Sequence, residues 1–213
     1  MTEDLDTYFS TLIFKYTVLD SVLRAIEALT TMDDYSQEIC LNKELMQLVK
    51  ELIELPDKFE VASSCVTAAV LIANILTDAT DLASKLSQDL NFLQGIFDVF
   101  PFASDDTEAK NAIWSIIARL LMVVKENEMS PSIFRFLVSI LASKLDLIED
   151  ELLVRPLDHQ SSGTKTDARI IAMKRISNIL SRWKFSDDRV NNTSSMGDYF
   201  INEDDVDKLL DLL

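Results

Sequence analysis

Three short strings in this chain nearly coincide: Ile72-Ala73-Asn74-Ile75-Leu76, Ile117-Ala118-Arg119-Leu120-Leu121 and Ile176-Ser177-Asn178-Ile179-Leu180. They start 45 and then 59 residues apart. A spacing in the forties is what two- or three-helix repeats produce, and such repeats stack into a solenoid. The small central residue, Ala or Ser, lets a neighbouring helix approach, while the flanking Ile and Leu fill the groove on either side. The strings therefore predict three equivalent inner helices, with Ala73, Ala118 and Ser177 at helix–helix contacts.

Periodicity supports helices elsewhere. Leu5, Tyr8, Phe9, Leu12, Ile13 and Tyr16 recur at three- and four-residue steps, and Leu19, Leu23, Ile26 and Leu29 continue the stripe, so residues 3–31 read as one or two helices. A polar break at Asp33–Ser36 precedes an apolar pattern over 37–55, which Pro56 ends. Residues 60–77 are apolar on almost every side, as expected of a helix buried all round. After a turn at Asp78–Asp81, shorter helices carry Leu82 to Phe100 and close at Pro101. Ser104 to Glu108 supplies an N-cap and acidic first turn for a helix to about 126, and Ser130-Pro131 opens one expected to run to about Leu153. Residues 154–166 read as a loop that lengthens the second interval, and a third unit begins near Thr166. With only three glycines and four prolines, a β-rich fold with many tight turns is disfavoured.

The expected class is all-α: a short α-solenoid of helical repeats over 1–184, a flexible linker over 185–202, and a short acidic amphipathic helix over 203–213 that completes a flexible acidic C-terminal tail. That last segment carries Val206, Leu209, Leu210 and Leu213 among Asp204, Asp205, Asp207 and Asp211. It either caps the last repeat or docks in a groove.

The formal net charge is −16 from 36 acidic and 20 basic residues. A field of that sign disfavours direct nucleic-acid binding and anionic membrane surfaces, and favours basic proteins or peptides. No apolar run reaches the roughly 18 residues of a membrane span. The start, Met1-Thr2-Glu3-Asp4, is acidic where a signal peptide is basic, so a cytoplasmic or nuclear location is expected. The two cysteines, Cys40 and Cys65, then read as reduced thiols, and the sequons at Asn191 and Asn192 as unused.

Catalytic chemistry finds no constellation. His159 is the single histidine and lies in the polar loop, without a second His or a cysteine pair at ligand spacing to form a zinc site. Gly95, Gly163 and Gly197 are too scattered for a phosphate loop, and Gly95 stands alone in a helical stretch. Carboxylate pairs such as Asp105-Asp106 and Asp204-Asp205 sit at helix starts, where they cap. No catalytic residue, cofactor or metal is expected. Trp114 and Trp183 fall on helices, either in the core or as partner hot spots.

The run Ala68-Ala69-Val70-Leu71-Ile72-Ala73-Asn74-Ile75 resembles the third helix of an armadillo repeat, with Val70 where that family often has Trp. Lys174-Arg175-Ile176-Ser177-Asn178-Ile179 keeps the Asn; the middle copy places Arg119 there, with Trp114 nearby. The resemblance implies that the solenoid over 1–184 is armadillo/HEAT-like, with a groove in which such side chains clamp an extended peptide, and hence Asn74, Arg119, Asn178 and Trp114 as partner-binding positions. The functional expectation is a non-catalytic scaffold or adaptor for a protein or peptide partner. The alternative is a regulatory subunit docked by an apolar face on an enzyme or complex.

Overall fold

Apolar steps of three and four residues become helices throughout the described parts of the computed structural model, which are residues 2–32, 35–77, 79–103, 106–153, 168–186 and 201–213; side chains are described from Tyr16 onward, apart from those at 36, 37 and 80. Of these residues 84% are helical and none lies in a strand. The expected loop at 154–166, with His159 and Gly163, falls outside the described residues, as do Asn191, Asn192, Gly197 and most of the expected linker. The chain divides into two compact units, residues 1–120 and 121–213.

The first unit opens with α1 (Thr2–Thr30), which packs along α4 (Ala62–Ile75). Leu23 is fully buried in this contact face, and a polar network edges it: Ser63 Oγ donates to Asp20 Oδ1 (3.0 Å), and Arg24 Nη2 donates to Ser63 Oγ (3.0 Å). Helix α4 is the all-round apolar segment, and nine of its fourteen residues are buried. Where the sequence predicts one element over 37–55, the structure has two, α2 (Ser36–Leu41) and α3 (Lys43–Glu54). The reason is Asn42, whose side chain accepts from Leu45 N at 3.0 Å and so starts a new helix inside an unbroken apolar pattern.

Beyond Pro56, a short 3-10 turn (Phe59–Val61) leads into α4, and α5 (Thr80–Leu86) and α6 (Leu90–Val99) follow. Asp89 caps α6 by accepting from Phe92 N (3.2 Å), and Lys50 Nζ lies 2.7 Å from the same carboxylate, which ties α3 to the start of α6. These two helices approach closely at Gly95: a Cβ there would stand 2.3 Å from the Ile53 carbonyl oxygen. Phe100 meets Trp114 edge to face, with ring centroids 5.1 Å apart. Trp114 lies on α7 (Thr107–Val123), which Asp106 caps through Glu108 N and Ala109 N, both at 3.0 Å.

In the second unit, Ser130 and Pro131 open α8 (Pro131–Ala142) as the sequence predicts. The expected continuation to Leu153 is broken. Ser143 Oγ donates back to Ile140 O at 2.7 Å, ending α8, and α9 (Leu145–Leu153) starts afresh. Helix α10 is Ala168–Lys184, and α11 is Glu203–Leu212. Asn202 accepts from Asp204 N (3.2 Å), and three acidic residues of the first turn face the positive helix end. Instead of forming a flexible tail, α11 packs against α8, α9 and α10 with Val206 and Leu209 fully buried, and Lys184 Nζ lies 2.6 Å from Asp207. Two apolar residues one turn apart are enough to fix a short helix whose acidic face stays in water.

Candidate functional site

The three strings lie on α4, α7 and α10, and their flanking Ile and Leu residues are 0–1% exposed in all three. Ala73 and Ala118 are buried; Ser177 is half-buried. The position after the small residue has a defined use in two copies. Asn74 Nδ2 donates to Thr30 Oγ1 (3.0 Å) at the end of α1, and Arg119 Nη1 donates to Leu76 O (2.5 Å) at the end of α4. The third copy departs from this pattern. Asn178 is exposed, and the donor is Arg175, one turn earlier, whose Nε reaches Leu121 O (2.8 Å) and Nη2 reaches Val124 O (2.7 Å). Glu126 pairs with Arg175 at 2.5 Å.

Of the partner-binding positions expected from the sequence, Asn74, Arg119 and Trp114 lie in the first unit and Asn178 in the second. Arg119 supplies a donor to a carbonyl at the C-terminal end of α4, where carbonyls otherwise lack one, and Asn74 bonds the hydroxyl of Thr30, the last residue of α1. Trp114 is 2% exposed and belongs to the core rather than to a hot spot. Asn178 alone of the four is exposed to solvent.

Among the described residues, a cleft of about 370 Å³ lies between the end of α3 and the side of α6. Glu54, Leu55 and Pro56 form one wall; Asn91, Gln94 and Asp98 form the other, with Gly95 between them and Lys58 below. Lys58 is 4% exposed, and its Nζ donates to Leu55 O (2.5 Å). Asn91 and Gln94, one turn apart, are exposed, and neither side-chain amide is hydrogen-bonded to another described residue. Glu54 Oε1 is enclosed and accepts no hydrogen bond among the described residues; its ion pair with Lys50 Nζ is long, 3.4 Å.

The electrostatics explain that long contact. Lys50 is committed to Asp89, whose hydrogen bond is the main cause of a raised ammonium pKa, with burial opposing it. On the other side of the pair, burial pushes the Asp89 carboxyl up, but the Lys50 hydrogen bond and the Phe92 N–H outweigh it and hold the carboxyl below its ordinary value. Glu54 shares what remains. Asn91, Gln94 and Asp98 are not singled out by the sequence reading, although a lone Gly95 in an otherwise apolar helical stretch is a signal of close backbone approach.

A second surface runs along α1 and the turn that follows it. Val18, Ser21, Val22, Ala25, Ala28, Leu29 and Met32 are all exposed, all uncharged, and spaced as a heptad seam.

No group of three or more His, Cys, Asp or Glu among the described residues is arranged to hold a metal ion, and no described helix is long and apolar enough to cross a membrane. Cys40 and Cys65 are free thiols; burial pushes the Cys65 thiol up to about 11. Compared with family models, with curated proteins and with solved structures, the chain matches none.

Proposed function

We propose that this chain is a non-catalytic intracellular scaffold or adaptor, of the armadillo/HEAT-like kind, that binds protein partners along its stacked helices in the cytoplasm or nucleus. The observation that carries the reading is the cleft between α3 and α6. Its amides at Asn91 and Gln94 are exposed and unspent on the fold, beside a Glu54 carboxylate paired with Lys50. Side chains in that state hold a partner's polar groups. The back-reaching donors Asn74 and Arg119 support the repeat arrangement, because the same string position ties two successive helices to the ends of their predecessors.

The runner-up, a regulatory subunit docked by an apolar face, is favoured by the α1 seam, since contiguous exposed apolar surface marks interaction sites.

Proximity labelling in cells separates the two. A partner set lost with Asn91→Ala/Gln94→Ala but kept with Val22→Asp supports the scaffold reading, and the reverse supports the docked subunit. A set unchanged by both variants refutes both.

A further inference from the structure

We propose that the exposed face of α10, in the second unit, seats an acidic amphipathic helix of a partner protein, with the partner's apolar residues on Ile170 and Phe185 and its carboxylates on Lys174 and Arg182. This surface is separate from the α3–α6 cleft, which belongs to the first unit. Its partner is opposite in charge to the one that the chain's overall field favours.

Composition marks the helix first. In a chain of net charge −16, α10 holds Arg169, Lys174, Arg175, Arg182 and Lys184 and not one carboxylate. Neighbouring elements do not neutralise this charge. Arg175 and Arg182 share the single carboxylate of Glu126, at 2.5 and 3.8 Å, and Arg182 also donates to the Asn127 amide oxygen. Lys184 pairs with Asp207, and Arg169 donates to the Glu151 carbonyl. Lys174 is exposed and makes no ion pair or hydrogen bond with a described residue. Positive charge is therefore in excess at Lys174 and Arg182. The Arg182 side chain is 45% exposed, and a guanidinium has donors enough for a second carboxylate.

Geometry places that charge around an apolar strip. At about 100° per residue, Ile170, Lys174, Asn178, Ser181 and Phe185 fall on one side of the helix, with Arg175 and Arg182 along one edge and Lys184 along the other. Phe185 N–H donates to Ser181 O at 3.1 Å, so the helical course continues to the phenyl ring, which is 82% exposed. Ile170 is exposed at the opposite end, about 22 Å away at the rise of an α-helix.

The fold itself shows what such a helix accepts. Acidic α11 lies against another side of α10, with Val206 and Leu209 buried and Asp207 beside Lys184. An apolar centre with acidic flanks is thus already seated on α10 once. The open strip has the same character, and a partner helix of the same make-up matches both its ends and its edges. A basic helix meets repulsion there. A long polyanion extends past the strip into the negative field of the rest of the chain.

The test titrates the isotopically labelled full chain with an acetylated, amidated, alanine-based helical peptide and follows it by two-dimensional NMR. The peptide carries a Leu near each end, two Glu two turns apart between them, and Gln on its outer face. The expected result is shifts at the Asn178 side-chain amide and at the backbone N–H groups of Ser177, Ser181 and Phe185. Affinity should fall about tenfold when Gln replaces both Glu, and about tenfold in Lys174→Glu. It should fall as salt rises. Phe185→Ala removes a mostly exposed ring, so it should weaken the peptide about fivefold and leave the melting temperature unchanged. Asn91→Ala/Gln94→Ala should bind the peptide as wild type does.

Equal affinity for the Glu and Gln peptides overturns the proposal. So does equal affinity of wild type and Lys174→Glu. Shifts confined to α3 and α6, or no shifts at all, also overturn it. Single-stranded DNA that shifts the α10 residues at lower concentration than the peptide assigns the strip to nucleic acid and overturns the protein helix as its occupant. The reading of the α3–α6 cleft stands or falls separately, by proximity labelling with its own variants.

Discussion

Replacing Gly95 with alanine sets two terms of opposite sign against each other. In a helix interior the change favours folding by about 0.5–1 kcal/mol, through a lower entropy cost and better propensity. At this position the added methyl would lie 2.3 Å from Ile53 O and 2.9 Å from Ile53 C, the first more than 1 Å inside the 3.4 Å at which ordinary contact begins. The obstacle is main chain, so no rotamer change removes it, and α3 and α6 must separate. Overpacking of this kind costs about 1–3 kcal/mol, and the rigid obstacle puts it at the upper end. The net expectation is a destabilisation of about 1–2 kcal/mol. For a unit of this size that is a fall of roughly 3–10 °C in Tm. Far-ultraviolet circular dichroism during thermal and urea unfolding measures it, with helix content at low temperature unchanged. A companion variant sharpens the reading. Ile53→Ala shortens the side chain but leaves the carbonyl in place, so it should not rescue Gly95→Ala, and the two losses should add or worsen. A Tm for Gly95→Ala equal to or above wild type would refute the close approach of the two helices.

Three further outcomes are expected. Ala118→Leu, at a position 4% exposed, should cost about 1–3 kcal/mol in denaturant titrations. Asp89→Ala should lose about 0.5–2 kcal/mol as a helix cap. Because the Asp89 carboxyl is held below its ordinary value of 3.8, its contribution is present above that pH and vanishes as pH falls through the lowered value, so the variant should show a flatter acid limb in stability against pH. Cys65, with Sγ donating to Leu52 O at 3.2 Å and its thiol pushed up to about 11, should resist alkylation in mildly alkaline buffer until the chain is unfolded, while the half-buried Cys40 labels first.

The helical class was legible because apolar spacing and scarce glycine point the same way, and so were the starts of α7 and α8, where Asp106 and Ser130-Pro131 announce themselves by residue type. The breaks at Asn42 and Ser143 were not. Both lie inside unbroken apolar patterns, and each depends on one side chain turning to a nearby backbone group. The bonds made by the candidate positions were not legible for a related reason. A sequence displays the donors at 74 and 119 but not the acceptors 44 and 43 residues earlier, so their part in the helix packing is seen only in the structure. Conversely, Asn91 and Gln94 look like ordinary polar residues on a helix until Gly95 brings α3 alongside them.

The bond from Arg119 to the Leu76 carbonyl has a consequence for how this protein varies among its natural relatives. The acceptor is supplied by the main chain, so position 76 can change side chain without breaking the bond, whereas position 119 must keep a long cationic donor. Drift at one end and constancy at the other leave no paired substitutions behind. In an alignment, column 119 should stand fixed with no column changing in step with it, which is also the mark left by a residue that grips a ligand. Measurements of stability, rather than patterns of substitution, will tell the two apart here.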